Sequence, residues 1–290
     1  MPRFYLALLA LPPLAACATM GHSAANPGQS AATAQQANGD QQQTAQTTRS
    51  ASHAQRQAAG RPTRIDRAAR AEIEHEDMLS QMTFWAQEYT NFPNDLEAAQ
   101  KFSESLRKGG RNDRAAQVAL EGLQRHDGDP QLLMTYGLAL IAGNKAQDAL
   151  QPLALVAHAD QHDWRSRSAL GVALDQLGRF DEARQAYQEA LAIKPDDPGV
   201  LTNLGVSHLL AGEPQAAEPI LRQAVALPGA SPEARQNLAI AVALQGRFDE
   251  AESLERIDLP PQVVAENMAY LRSLLNDPHS WSDMRHATAQ

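Results

Sequence analysis

Asp95, Asp129, Asp163, Asp197 and Ser231 stand 34 residues apart, and each is followed at fixed offsets by the same kinds of side chain: first Phe102, Tyr136, Leu170, Leu204 and Leu238, then Ala115, Ala149, Ala183, Ala217 and Ala251. A phase held over five units constrains the fold more tightly than composition does, because one local unit must be built five times and stacked. Asp and Ser are residues whose side chains accept the free N–H groups at a helix start, and Pro130, Pro198 and Pro232 follow at the first helical position, where a missing N–H costs nothing. Each period therefore opens a helix.

Within a unit the bulky residue is followed by a small one (Ser103, Gly137, Gly171, Gly205, Ala239), and the second helix carries the repeating Ala and then Leu153, Tyr187 or Leu221 on the same face. Small residues mark where two antiparallel helices approach closely. Gly110, Gly178, Gly212 and Gly246 fall between the helices, at turns that need left-handed backbone. The segment Leu170-Gly171, Phe180-Asp181-Glu182-Ala183, Tyr187, Ala190 and Pro195 resembles the tetratricopeptide repeat. The resemblance implies an all-α, right-handed superhelical solenoid of about five tetratricopeptide repeats over 95–259, with an N-terminal capping helix in 61–94, a C-terminal capping helix in 260–276 and a tail from 277 to 290. Ile73, Met78, Met82 and Trp85 are the expected buried side of a helix running from Asp66 to Tyr89. Glu255 and Asp258 replace apolar residues in the fifth unit, as suits an array on which no further repeat stacks.

The chain has a single cysteine, which excludes an intramolecular disulfide and a cysteine-built metal site. It closes the run Leu14-Ala15-Ala16-Cys17 after the apolar stretch Phe4 to Leu11, which is too short for a permanent span of roughly 20 residues. This resembles a bacterial lipoprotein signal peptide, 1–16, and implies a lipidated Cys17. Ordinary secretion, with cleavage at Ala16-Cys17-Ala18, is the alternative. At about 0.8 kcal/mol per buried methylene, several acyl chains on one residue make a stable anchor. Ala18 after the cysteine, by resemblance to other lipoproteins, implies the periplasmic face of the outer membrane. Residues 17–60 are rich in Ala, Gln, Ser and Thr, have almost nothing to bury, and read as a disordered linker. A flexible coil of about 45 residues spans roughly 35–40 Å.

Charge divides near the same boundary: residues 18–70 carry a net +4 and residues 71–290 a net −14. An acidic solenoid is a poor partner for nucleic acid, whose phosphates need clustered Lys and Arg. No HExxH, GxSxG or glycine-rich phosphate loop is present. Glu72 with His75, and His158 with His162, share helical faces but lack a third ligand, and Asp175, Asp181 and Glu182 read as exposed helix charges. The expectation is a protein with no enzymatic activity, no cofactor, no metal and no small-molecule substrate.

Binding remains. In tetratricopeptide arrays the first helices line a concave face, and reading the inward positions off this chain gives a candidate protein-binding groove. It comprises Met134, Leu138 and Ile141; Arg165, Ser168, Val172, Asp175 and Gln176; Thr202, Asn203, Val206, Leu209 and Leu210; and Gln236, Asn237, Ile240 and Leu244. Asn203 and Asn237 hold equivalent places, where an amide can pair with a bound backbone or serve only the repeat itself. The C-terminal stretch Arg235-Gln236-Asn237-Leu238-Ala239 and Asn267-Met268-Ala269-Tyr270-Leu271-Arg272 resembles the TadD family, the tetratricopeptide lipoproteins of the tight-adherence (Flp pilus) secretion system. That resemblance implies a pilotin-like role in assembling the pilus machine, with the pilus secretin or other outer-membrane assembly subunits as partners. An adaptor for periplasmic peptidoglycan hydrolases is the alternative.

Overall fold

The computed structural model describes residues 67–276, and the signal peptide, Cys17, the linker and the tail lie outside the described residues. Thirteen α-helices follow one another there: α1 (Arg67–Glu72), α2 (Met78–Asn91), α3 (Leu96–Lys108), α4 (Asn112–Leu123), α5 (Pro130–Ala142), α6 (Ala146–Ala159), α7 (Trp164–Gln176), α8 (Phe180–Ile193), α9 (Pro198–Leu210), α10 (Pro214–Ala226), α11 (Pro232–Ala243), α12 (Phe248–Glu255) and α13 (Pro261–Asn276). From α3 to α12 they form five hairpins in the 34-residue phase, an all-helical solenoid.

Each repeat opens as its chemistry dictates. Asp129 accepts from the Leu132 amide at 2.8 Å and Asp197 from the Val200 amide at 3.0 Å, while Asp95 and Asp163 cap their helices likewise. Ser231 does not follow them: it stands at the start of α11 but its side chain caps nothing, so proline alone sets that helix's first turn. The turn between the paired helices needs left-handed backbone in every repeat. Gly110, Gly178, Gly212 and Gly246 have φ between 71° and 83°, and Asn144, the non-glycine residue in this column, has φ 57°.

The small residues earn their place by contact. A Cβ on Gly137 would lie 2.6 Å from Leu153, one on Gly171 2.5 Å from the Tyr187 ring, and one on Gly205 2.5 Å from Leu221. The large residue sixteen positions later is thus a knob seated on the glycine of its own hairpin. In the first repeat the glycine becomes Ser103 and the knob shrinks to Ala119, both fully buried. A larger residue on one helix is met by a smaller one on the other, as close packing requires.

The first helices of successive repeats also touch one another: α3 meets α5, α5 meets α7, α7 meets α9 and α9 meets α11. The second helices meet the next repeat's second helix through ion pairs on the opposite face: Lys145 to Asp113 at 2.9 Å, Arg184 to Glu213 at 3.5 Å, and Arg222 to Glu250 and Arg247 to Glu218. Close packing on one side and longer side-chain bridges on the other put the first helices on the inner face.

The N-terminal cap departs from the expected single helix over 66–89. The chain passes from α1 through a 3₁₀ turn (Ile73–His75) and breaks at Glu76–Asp77, where Asp77 is extended and accepts from the Leu79 and Ser80 amides at 2.9 and 3.1 Å to start α2. Asp77 is a better cap than an interior residue, and that local competition wins. Trp85 is buried and Ile73 and Met82 pack partly against the core, but Met78, 41% exposed, is not on the buried side. α1 is pinned by Arg70, which is buried over the Trp85 ring and bonded to Glu88, to Asp95 at 2.7 Å and to Glu97 at 2.7 Å. At the other end α13 buries Val264, Met268 and Leu271 against α11 and α12. Asn267 donates to the buried Glu255 at 3.0 Å, and Arg235 holds Asp258 through two bonds of 2.7 and 2.9 Å. The two acids of the fifth unit are therefore seams of the cap.

Candidate binding groove

Four positions, 34 residues apart on α5, α7, α9 and α11, carry Leu138, Val172, Val206 and Ile240, all half-buried. They form an apolar stripe along the inner face. Half-burial matters: each side chain rests partly on the core and still presents apolar surface. Met134 stands beside the stripe one turn before Leu138, and Leu210 and Leu244 one turn after Val206 and Ile240. Thr202, Gln236 and Gln176 flank it, also half-buried, and Arg165 is exposed at its margin, its guanidinium 4.9 Å from the Trp164 ring. Lys194 lies over the same ring at 4.3 Å, so Trp164 packs against cations rather than offering a bare face.

Other predicted groove residues belong to the core. Ile141 is 1% and Leu209 0% exposed, and both are withdrawn from the binding surface, because their position turns sideways into the contact between successive first helices. Leu210 is buried at the floor. Ser168 is buried and receives a 3.5 Å contact from the Asn203 amide, which leaves half-buried Asn203 with capacity toward the groove. Asn237 is buried, and its Oδ1, like the Oε1 of Gln176, is a buried acceptor without a hydrogen-bond partner.

Asp175 corrects the sequence reading most sharply. Rather than an exposed helix charge it is 8% exposed; its carboxylate accepts from Tyr187 Oη at 2.9 Å and from Ser207 Oγ at 2.7 Å. Burial pushes the carboxyl up to about 7, against the pull of those two hydroxyls and of Arg184. Asp181 and Glu182 are exposed, the former paired with Arg184 and the latter with Arg179 at 2.6 Å. The Tyr187 and Ser207 partnership escaped the sequence reading. Its signal was present, since the column Arg107, Ile141, Asp175, Leu209, Ala243 is otherwise aliphatic in its interior units.

Among the described residues no group of three or more His, Cys, Asp or Glu side chains is placed to hold a metal ion, and no helix is long and apolar enough to cross a membrane. Glu72, His75, His158 and His162 are all exposed.

A five-hairpin array of this kind has the fold of a tetratricopeptide-repeat solenoid, with an open apolar stripe on its inner face. Comparison with known proteins agrees: residues 171–212 match the family described as TPR repeat and residues 208–254 the one described as Tetratricopeptide repeat. A TPR repeat-containing protein of Pseudomonas aeruginosa is 30% identical over 124 residues, 42% of this chain and 21% of that protein. The cytochrome c-type biogenesis protein CycH of Bradyrhizobium diazoefficiens is 32% identical over 111 residues, 35% of this chain and 30% of that protein. The chain thus spans about a fifth of the length of the first of these relatives and under a third of the second. A thermophilic TPR protein of Thermus thermophilus is similar in structure, with TM-score 0.54 and 22% identity, covering 62% of this chain and all of that one.

Proposed function

We propose that this protein is a lipid-anchored scaffold that clasps a segment of a partner protein in its inner groove during assembly of a tight-adherence (Flp) pilus machine, in the manner of a pilotin for the secretin or a neighbouring subunit. The carrying observation is the stripe Leu138, Val172, Val206 and Ile240: four apolar contacts on four successive helices, set among side-chain amides and hydroxyls that can pair with a bound backbone. Adjacent helix axes lie about 8–10 Å apart, so the stripe offers apolar contacts at about that interval along a bound chain. The pilus assignment rests on the resemblance of Asn267-Met268-Ala269-Tyr270-Leu271-Arg272, the segment that forms the middle of α13, and on the lipobox ending at Cys17. The anchor fixes the scaffold at the periplasmic face of the outer membrane, and the linker raises the local concentration of its groove around membrane partners.

Crosslinking followed by affinity capture from cells tests this, comparing the native chain with Cys17→Ser and with Val172→Glu/Val206→Glu. Recovery of the secretin or its neighbours, lost in the groove variant and mislocalised in the cysteine variant, is the expected result. Recovery of peptidoglycan hydrolases, or of cytochrome maturation proteins as the name of the Bradyrhizobium relative suggests, overturns the pilus assignment and leaves the scaffold standing.

A further inference from the structure

The third repeat puts a carboxylate where the second and fourth bury Ile141 and Leu209. Asp175 lies on α7, and its two hydroxyl donors come from opposite directions: Tyr187 from α8 of the same repeat, and Ser207 from α9 of the next. Tyr187 is also the knob seated on Gly171, so the carboxyl grips the packing of its own hairpin with one oxygen and the neighbouring repeat with the other. No cation among the described residues is within ion-pair distance of it. Arg184 on α8 acts from farther off, its guanidinium bonded to Asp181 and Glu213. On α9, His208 beside Ser207 is held by Glu213 at 2.7 Å, and no charged group of α5 or α6 contributes to the field at Asp175.

We propose that Asp175, Tyr187 and Ser207 form a proton-sensitive joint between the third and fourth repeats, closed when the carboxyl is neutral and more readily opened when it is ionised, so that the spacing of Val172 and Val206 across the groove follows pH. The hydrogen bonding of both states balances. In the ionised form both hydroxyls donate to the carboxylate, which stays buried without a countercharge, an expensive arrangement. In the neutral form the new proton on Oδ1 is donated to Ser207 Oγ, Ser207 turns its own proton to the carbonyl four residues back, and Tyr187 keeps donating to Oδ2. Every donor is used and the buried charge is gone.

The direction follows from linkage. The closed joint holds its proton to about neutral pH whereas the opened one is an ordinary hydrated carboxyl, so the closed form binds more protons between those limits. Closure is strongest at or below the ordinary carboxylate range and is lost progressively as pH rises toward neutrality, after which the loss levels off. Stability in a solenoid is a sum of repeat and interface contributions, so one weakened interface divides the array into two arms without unfolding either. The joint operates whatever the groove binds, and its failure leaves the proposed function untouched.

The test uses the full chain. Carboxyl-carbon NMR of the wild type follows Asp175 directly, and hydrogen exchange of the α9 amides from pH 5 to 8, corrected for the intrinsic rate, compares wild type with Asp175→Asn. The expected result is an Asp175 midpoint near neutrality. Protection in α9 relative to the variant should fall by about tenfold per pH unit up to the midpoint and stay level above it. An Asp175 midpoint in the ordinary carboxylate range, or identical pH profiles for the two proteins, overturns the joint. Should Asp175→Asn not fold, the wild-type titration decides alone.

Discussion

Glycine and its knob set the tolerance of each hairpin. Adding a methyl at Gly171 places it 2.5 Å from the rigid Tyr187 ring, which has nowhere to retreat, so Gly171→Ala is expected to cost about 1–3 kcal/mol, the range for overpacking a filled core. The double change Gly171→Ser/Tyr187→Ala copies the Ser103 and Ala119 pairing only in kind: it replaces a filled contact by a cavity where the buried ring stood and removes a donor from Asp175, so it is expected to melt lower than Gly171→Ala. Equal melting of the single variant and the wild type would show that the two helices do not meet as described. These pairs were legible in the sequence because the small and large columns repeat in step. The burial of Asp175 was not, because a carboxylate on an inner-face helix position reads as solvated until its neighbours on two other helices are known. Ile141 and Leu209 misled for a related reason: one helical position is groove or core depending on how far successive repeats rotate, which the period alone leaves open.

Single helices at the two ends hold the array by unlike means. Arg70 ties α1 to the body, and truncation to Ala strands buried Glu88 without its guanidinium. Removing one partner of a buried pair costs roughly 3–5 kcal/mol, so Arg70→Ala should melt several degrees lower and expose α1 and α2 to proteolysis ahead of the repeats. At the far end, burial raises the Glu255 carboxyl above its ordinary range, with Asn267 opposing. A carboxyl raised on folding contributes stability at acid pH and loses it as pH climbs, so Glu255→Gln is expected to raise the melting temperature at pH 8 and leave it nearly unchanged at pH 4.5. A stabilisation independent of pH would refute the assignment. The break at Asp77 belongs to this scale too: helical periodicity in Ile73, Met82 and Trp85 was visible, but a capping carboxylate and a continuous helix compete on nearly equal terms, and sequence period does not weigh them.

Across the whole molecule the fold and the groove separate cleanly. Stripe residues are half-buried, so Val172→Glu/Val206→Glu should cut partner capture severely while shifting thermal stability far less than a fully buried substitution such as Leu209→Ala, for which about 2–5 kcal/mol is expected. Circular dichroism melts alongside capture from cells separate the two effects; loss of folding in the stripe variant would mean the stripe is core. Five hairpins in series also imply that denaturation need not be all-or-none, since each repeat leans mainly on its neighbours. The period made this architecture readable at once, whereas the identity of the bound segment has no counterpart in the repeat.

The inner helices are joined by packed side chains and the outer ones by ion pairs such as Lys145 with Asp113 and Arg184 with Glu213. Packed surfaces resist shear and separation steeply, while exposed ion pairs are worth little and weaken with salt. The molecule is therefore expected to behave as a leaf spring, stiff along its packed inner helices and soft along its outer ones: it should bend first by parting the outer seam, with a compliance that rises with ionic strength.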